Sequence, residues 1–264
     1  MSALIVSNQI TYDLVIDNTT VVHSGGELEN CLDGNTYTSW QPNSGNSLIN
    51  FTFDTTAMIV INEFALSGLE NLPSDIVHIN LWGSVSADFS DWIPLVGAYK
   101  PELDAGRRFY SEYDQQTPYR YYIVSIETET SALNKIKVGN ILINGNSPIF
   151  PSGVSAPYTP PKLSAKTEIL NNRTMGGNFV GRSVLSGQYD FIIKNKNITP
   201  EWIEENWLSL HKQISEKPFM YLWDDTRPQD AVFCWTKGDI PPPKYDNQCY
   251  FSFSIPCNGF IEND

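Results

Sequence analysis

Asp33-Gly34-Asn35-Thr36-Tyr37-Thr38-Ser39-Trp40, followed by an apolar strand-like segment at 48–53, is the stretch on which the reading of this chain turns. Asp-Gly and Gly-Asn are turn dipeptides, because glycine takes positive φ without a Cβ penalty and Asx side chains close a loop onto their own backbone. The hydroxyls and carbonyls of so tight a turn either satisfy one another or hold a cation. Trp40 arrives just after it, a large apolar plug that would anchor the loop to a core. A polar turn, an aromatic anchor and then a strand point to a binding or assembly module, not to an enzyme.

Outward from this turn, short strand-like runs recur at 49–53, 59–67, 76–83, 119–126 and 137–143, separated by Gly, Pro, Asn and Asp. Such spacing suits an antiparallel sandwich. In the third run Ile79 and Leu81 alternate with His78, Asn80 and Trp82, the period-2 pattern of a half-buried strand.

The order of turn, Thr-x-Trp and strand resembles the opening of discoidin-type domains, the factor V/VIII C-type jelly rolls. The segment Tyr119-Arg120-Tyr121-Tyr122-Ile123-Val124-Ser125-Ile126 looks like their late strand, and Val138-Gly139-Asn140-Ile141-Leu142-Ile143 like their closing one. The resemblance covers about residues 25–145 and implies a jelly roll. It also implies a structural Ca²⁺ held by oxygens of the turn, here Asp33, Asn35 and Thr38, and completed by a Glu in the last strand. Asn140 stands about where that Glu would be, which weakens the charge balance, so a self-capped turn is favoured over a filled site. Sugar recognition by this fold uses aromatic stacking and polar loop residues at one end of the sandwich. Trp82, Trp92, Tyr99 and Tyr110 are the candidate loop aromatics, each equally compatible with a domain interface or plain core. The segment 97–118 is long for a hairpin and reads as a contact loop.

The chain has 264 residues, enough for two domains that each bury a core. With a net charge of −13 and scattered cations, nucleic acid is an unlikely partner, because phosphate binding needs clustered Lys and Arg. No apolar run approaches the length of a membrane span, and no export signal is visible at the N-terminus. Cys31, Cys234, Cys249 and Cys257 show no metal-ligand spacing and are expected as free buried thiols; one disulfide among the last three is the alternative for an exported protein. Catalysis lacks its parts: the histidines are His23, His78 and His211, and no nucleophile elbow, phosphate loop or zinc motif is present. The adjacent carboxylates Glu204-Glu205 and Asp224-Asp225 point apart rather than facing each other across a sugar. No cofactor is expected, a structural Ca²⁺ at the turn being the one alternative.

Five prolines at 147–161 mark a domain boundary and a semi-rigid spacer. Beyond it, Thr199-Pro200-Glu201 is a helix start: Thr as N-cap, Pro at the first helical position, a carboxylate at the positive end of the dipole. Ile203, Trp207, Leu210 and Ile214 then recur at helical spacing, so one face of a helix over 200–215 should lie on a sheet. Runs at 188–194, 219–223, 231–236 and 248–256 supply its strands. The expected fold is therefore mainly β: a discoidin-like sandwich over 1–146, the linker 147–161, and an α+β domain over 162–264 with an antiparallel sheet and one long helix.

Pro218, Phe219 and Trp223, then Ala231, Phe233, Cys234 and Trp235, resemble the C-terminal pattern of tail-tip proteins from long-tailed phages. That resemblance implies a non-enzymatic virion protein at the distal tail or baseplate, assembled in the host cytoplasm. Its partners would be copies of itself in a ring of six, or three, together with tail-tube and tail-tip hub proteins. The alternative is a carbohydrate-binding module that attaches to surface glycans.

Overall fold

The computed structural model describes residues 4–6, 13–14, 31, 39–41, 48–71, 76–88, 90–99, 109–112, 117–129, 136–145, 150–151, 155–224, 226–227, 230–246 and 249–260. Among them fifteen strands form: β1 (Leu4–Val6), β2 (Asp13–Leu14), β3 (Leu48–Ile59), β4 (Glu63–Ser67), β5 (Ile76–Ser84), β6 (Ile93–Tyr99), β7 (Phe109–Glu112), β8 (Tyr119–Thr128), β9 (Asn140–Asn144), β10 (Ala165–Arg173), β11 (Phe179–Ile198), β12 (Phe219–Leu222), β13 (Val232–Thr236), β14 (Lys244–Asp246) and β15 (Tyr250–Phe260). A helix, α1, runs through Pro200–Trp202 and Leu208–Glu216, with a π-helical turn at Ile203–Trp207 between them. The chain is thus mainly β with antiparallel sheets and one helix, as its composition and periodicities predict.

Three sheets stack in layers. A five-stranded sheet in the order β2-β3-β8-β5-β6 faces a three-stranded sheet in the order β7-β4-β9. Ile49, Phe51, Phe53, Ile79, Leu81, Val124 and Ile126 from the first meet Phe64, Leu66, Ile141 and Ile143 from the second in one core. Trp40 plugs this core as expected. It is 1% exposed, pairs with Val138 through two backbone hydrogen bonds of 2.9 and 3.0 Å, and meets Phe51 edge-on at 5.0 Å.

The third sheet runs β1-β12-β13-β15-β11-β10, with β14 on β15. One face carries α1: Trp207, Leu210 and Ile214 pack with Phe191, Ile193, Phe219, Tyr221 and Ile255, so the helical spacing read from the sequence is the buried stripe. Thr199 caps the helix, its hydroxyl accepting from Trp202 N at 3.3 Å. The other face of this sheet packs on the sandwich. Met220, Leu222, Ala231 and Phe233 share a cluster with Ala65 of β4 and Leu142 of β9. Every residue of β4, β9 and β12 is buried, because each strand has a neighbour layer on both sides.

Two boundaries differ from expectation. Leu4–Val6, assigned to the sandwich from sequence, pairs antiparallel with Leu222–Met220 of the third sheet, so the chain enters the second unit before it builds the first. Strand pairing between segments far apart in sequence leaves no local signature. The proline-rich segment is not a spacer between separated bodies over its described part. Phe150 is fully buried in the helix-side core and Tyr158 packs against the same cluster. Ser155 donates its N–H to Lys194 O at 3.3 Å and accepts from Lys196 N at 2.9 Å. Of the cysteines, Cys31, Cys234 and Cys257 are buried and free, but Cys249, expected buried, is exposed.

One element was not legible as strand. β10 and the outer half of β11 form a two-stranded ribbon, paired from Ala165↔Tyr189 to Arg173↔Phe179. Pairing of β11 with β15 begins only at Gln188, so the ribbon projects past the sheet with no third strand among the described residues, over roughly 30 Å at strand rise. Gly177, at φ 83°, turns its tip.

Candidate functional site

The predicted aromatics come together in part. Trp82 lies within β5 and Trp92 immediately before β6, and their rings stand 5.9 Å apart at 59°. Trp82 is therefore a strand residue, not a loop residue, on the face of the five-stranded sheet turned away from the core. Its Nε1–H donates to Ser125 Oγ at 3.1 Å, which fixes the ring on the sheet. Trp92 is 40% exposed, and beside it in the same hairpin Val85 and Ile93 are 49% and 47% exposed. These three are exposed apolar side chains of one hairpin tip.

The hairpin that carries the tip is held by one carboxylate. Asp91 accepts from Ser84 Oγ at 2.5 Å, from Val85 N at 3.2 Å and from Ser86 N at 3.3 Å. The Ser84 hydroxyl above all, against an opposing desolvation and with help from backbone N–H groups, holds the Asp91 carboxyl below the usual carboxylate range. Asp88 ties down the turn, accepting from Ser90 N at 3.2 Å. Gly83 has a packing reason: a Cβ there would lie 2.5 Å from the Tyr119 ring.

Beside the tryptophans the outward face carries polar side chains, of which Thr52, Asn80 and Ser125 are buried. Asn50, Ser125 and Asn80 align across β3, β8 and β5, with Thr52, Ile123 and Trp82 in the next aligned row. His78 stands opposite Glu127, as a sheet-face residue. Tyr99 sits in β6 opposite His78, in the same sheet as the tryptophans. Tyr110 is in β7 opposite Ala65, in the other sheet, so it does not join them. Asp33, Asn35 and Thr38 lie outside the described residues. Asn140, which departs from the discoidin pattern, is 2% exposed in β9. Among the described residues no group of three His, Cys, Asp or Glu side chains stands together as metal ligands.

A concavity of about 250 Å³ opens beside β11 and is lined by Tyr158, Ser164, Asp190 and Lys194 among others. Its carboxylate is already engaged: Asp190 binds Lys237 Nζ at 3.0 Å and Lys166 Nζ at 3.2 Å, and these bonds hold its pKa below the usual value. The tryptophan tip is the better candidate.

Sequence reasoning missed the ribbon of β10 and β11. The signal available was Met175-Gly176-Gly177-Asn178, a turn string between Ile169-Leu170 and Phe179-Val180. The structure closes that turn with Gly177 N to Thr174 O at 2.9 Å and Thr174 N to Asn178 O at 2.8 Å.

No family model and no curated protein matches this chain. Solved structures similar to it include the SusE-like protein BT2857, at 13% identity over 51% of this chain and 96% of that one, with a TM-score of 0.41. A CBM32 module from a family 31 glycoside hydrolase of Clostridium perfringens aligns at 14% identity over 51% of this chain and 91% of its own length, TM-score 0.40. The CBM62 of Clostridium thermocellum Xyl5A aligns at 16% identity over 52% and 99%, TM-score 0.37. At these scores the likeness carries no argument about ligand. The comparisons lend no support to the tail-tip resemblance.

Proposed function

We propose that the chain is a non-catalytic carbohydrate-binding protein whose contact surface is centred on Trp92. The observation that carries this reading is an exposed indole seated on a second one, in a hairpin clamped by Asp91. Stacking a pyranose ring on an aromatic already held in place orders few additional side chains, which is where such binding usually loses free energy. A glycan array followed by calorimetry on the hits tests it: Trp92→Ala is expected to weaken binding at least tenfold, a ~1.4 kcal/mol effect. An array without hits, or hits indifferent to Trp92, overturns the reading.

A second reading, a structural virion protein in the distal ring of a long phage tail, is favoured by the exposed ribbon. Two strands with water on both faces are marginally stable alone. Leu170, Met175, Phe179 and Val180 leave apolar surface on it that the monomer does not cover, at 50%, 110%, 65% and 65% exposure. In this role copies of the chain form a ring of six, or three, at the tail tip, on tail-tube and hub proteins. The mass of the protein in solution and its presence in particles decide it; a strict monomer absent from particles removes it.

The Asp33 turn is proposed to be self-capped. Chelator and added Ca²⁺ should then leave the unfolding midpoint in place, and a Ca²⁺-dependent rise would assign Asp33, Asn35 and Thr38 as ligands.

A further inference from the structure

We infer that the concavity beside β11 receives the C-terminal residue of a peptide, held by the backbone of Ile192; this goes beyond the reading above and does not depend on Trp92. Ile192 lies opposite Pro256 of β15. Proline has no N–H, so the two form a non-hydrogen-bonded pair, and both the N–H and the C=O of Ile192 point away from β15. The same alternation holds on either side: Asp190 donates its N–H to Ser164 O at 3.1 Å, and Lys194 O accepts from Ser155 N at 3.3 Å, both on the outer edge of the strand. Between these two rungs, among the described residues, the backbone of Ile192 has no partner on that edge. Chain length explains the gap. Ten residues, 155–164, run past an edge that five residues, 190–194, occupy, so the covering segment bows outward, and Pro157 and Pro160 within it have no N–H to donate.

The cavity opens on this gap, between Ile192 and the segment that includes Pro157, Tyr158 and Thr159. An N–H and a C=O on one residue are matched by an acylated α-amino acid unit, whose own N–H and C=O point the same way, as in an antiparallel rung. A lone trans amide does not match, because its N–H and C=O point in opposite directions. An internal stretch of peptide would also need the rungs at Asp190 and Lys194, which Ser164 and Ser155 hold. A chain end needs one rung only, and its carboxylate meets positive charge here. Asp190 binds Lys166 at 3.2 Å and Lys237 at 3.0 Å, and Lys194 is exposed, with no carboxylate paired to it among the described residues. Three lysines against one aspartate leave +2 around the groove in a chain of −13. The N–H of Ile192 lies on the Asp190 side of its residue, so a carboxylate that accepts from it faces this cluster.

The test uses the full chain labelled with ¹⁵N-isoleucine, the Ile192 cross-peak being the one that vanishes in Ile192→Val. Titration with N-acetylalanine should move that peak saturably downfield, as an amide that gains a carboxylate acceptor does. N-acetylalanine methylamide, which lacks the charge, should bind about tenfold more weakly, and the difference should shrink as salt rises. The tripeptide Gly-Gly-Ala should behave as N-acetylalanine does, and its C-terminal amide as the methylamide. Ile192→Pro removes the one N–H that faces the groove, at a position whose N–H serves no ladder bond, and should lower affinity about tenfold, with circular dichroism to check the fold. Lys194→Gln, at the surface, should weaken binding of the acid about threefold and narrow the gap between acid and methylamide. An acid and a methylamide of equal affinity, an Ile192 peak that does not move, or binding indifferent to both substitutions overturns the site.

Discussion

β4 and β9 are buried on both faces, whereas the described residues leave β10 and residues 179–183 of β11 open on both, although all are antiparallel strands of one chain. In β4 the alternation is Phe64 and Leu66 towards the sandwich core, Ala65 towards Met220 and Phe233. In β10 successive side chains reach water whichever way they point. Strand geometry is shared, so what separates the two regions is the number of layers stacked against them. The doubly buried strands join the two halves, and the bare ones leave a surface for another molecule.

The largest expected effect tests the joined region. Phe233→Ala empties part of the cluster between the third sheet and the sandwich and should cost about 3–5 kcal/mol. Denaturant unfolding followed by tryptophan fluorescence and far-ultraviolet circular dichroism should show both halves melting together, earlier than in the wild type. Two separated transitions would break the comparison, by showing that the shared cluster does not couple the units. Next comes the helix that lines the outer side of the third sheet: Thr199→Ala removes the cap and should lower stability by about 1 kcal/mol, read from the same transition.

A smaller effect is electrostatic. Arg120 donates two hydrogen bonds to Asp54, at 2.8 and 2.9 Å, and holds its carboxyl below the usual value. A depressed folded pKa contributes stability that is present above the unfolded carboxylate value of ~3.9 and is lost as pH falls below it. Arg120→Gln should therefore narrow the stability difference between pH 7 and pH 3, and an unchanged difference would deny the pair any role. Smallest of all, Phe179→Ser in the ribbon should shift monomer stability by no more than about 0.5 kcal/mol, since it uncovers nothing. A loss of several kcal/mol there would show that the ribbon is packed within its own copy, and would erase the contrast with β4.

Much of the fold was legible because it is written in local periodicities. Thr199-Pro200-Glu201 and the spacing of Trp207, Leu210 and Ile214 described the helix and its buried side before any sheet was in view. Trp40 was recognisable as a core anchor from its place after a polar turn. The ribbon was not legible, because a strand that buries neither face needs no alternation, and only its Gly-Gly turn marks it. The candidate site was half legible: Trp82, Trp92, Tyr99 and Tyr110 were all plausible from their aromatic character. Only pairing of β5 with β6, and of β7 with β4, sorted the tryptophans from Tyr110.

By itself, then, the sequence determined the strand and helix types, the helix cap, the acidic charge balance and the aromatic inventory, since each depends on neighbours a few residues away. Tertiary structure alone decided that Leu4–Val6 belongs to the far sheet, that the proline-rich segment lies against that sheet, and that one ribbon is left bare. A side-chain pattern records the polarity of a strand's faces, but what covers a face comes from segments a hundred or more residues distant.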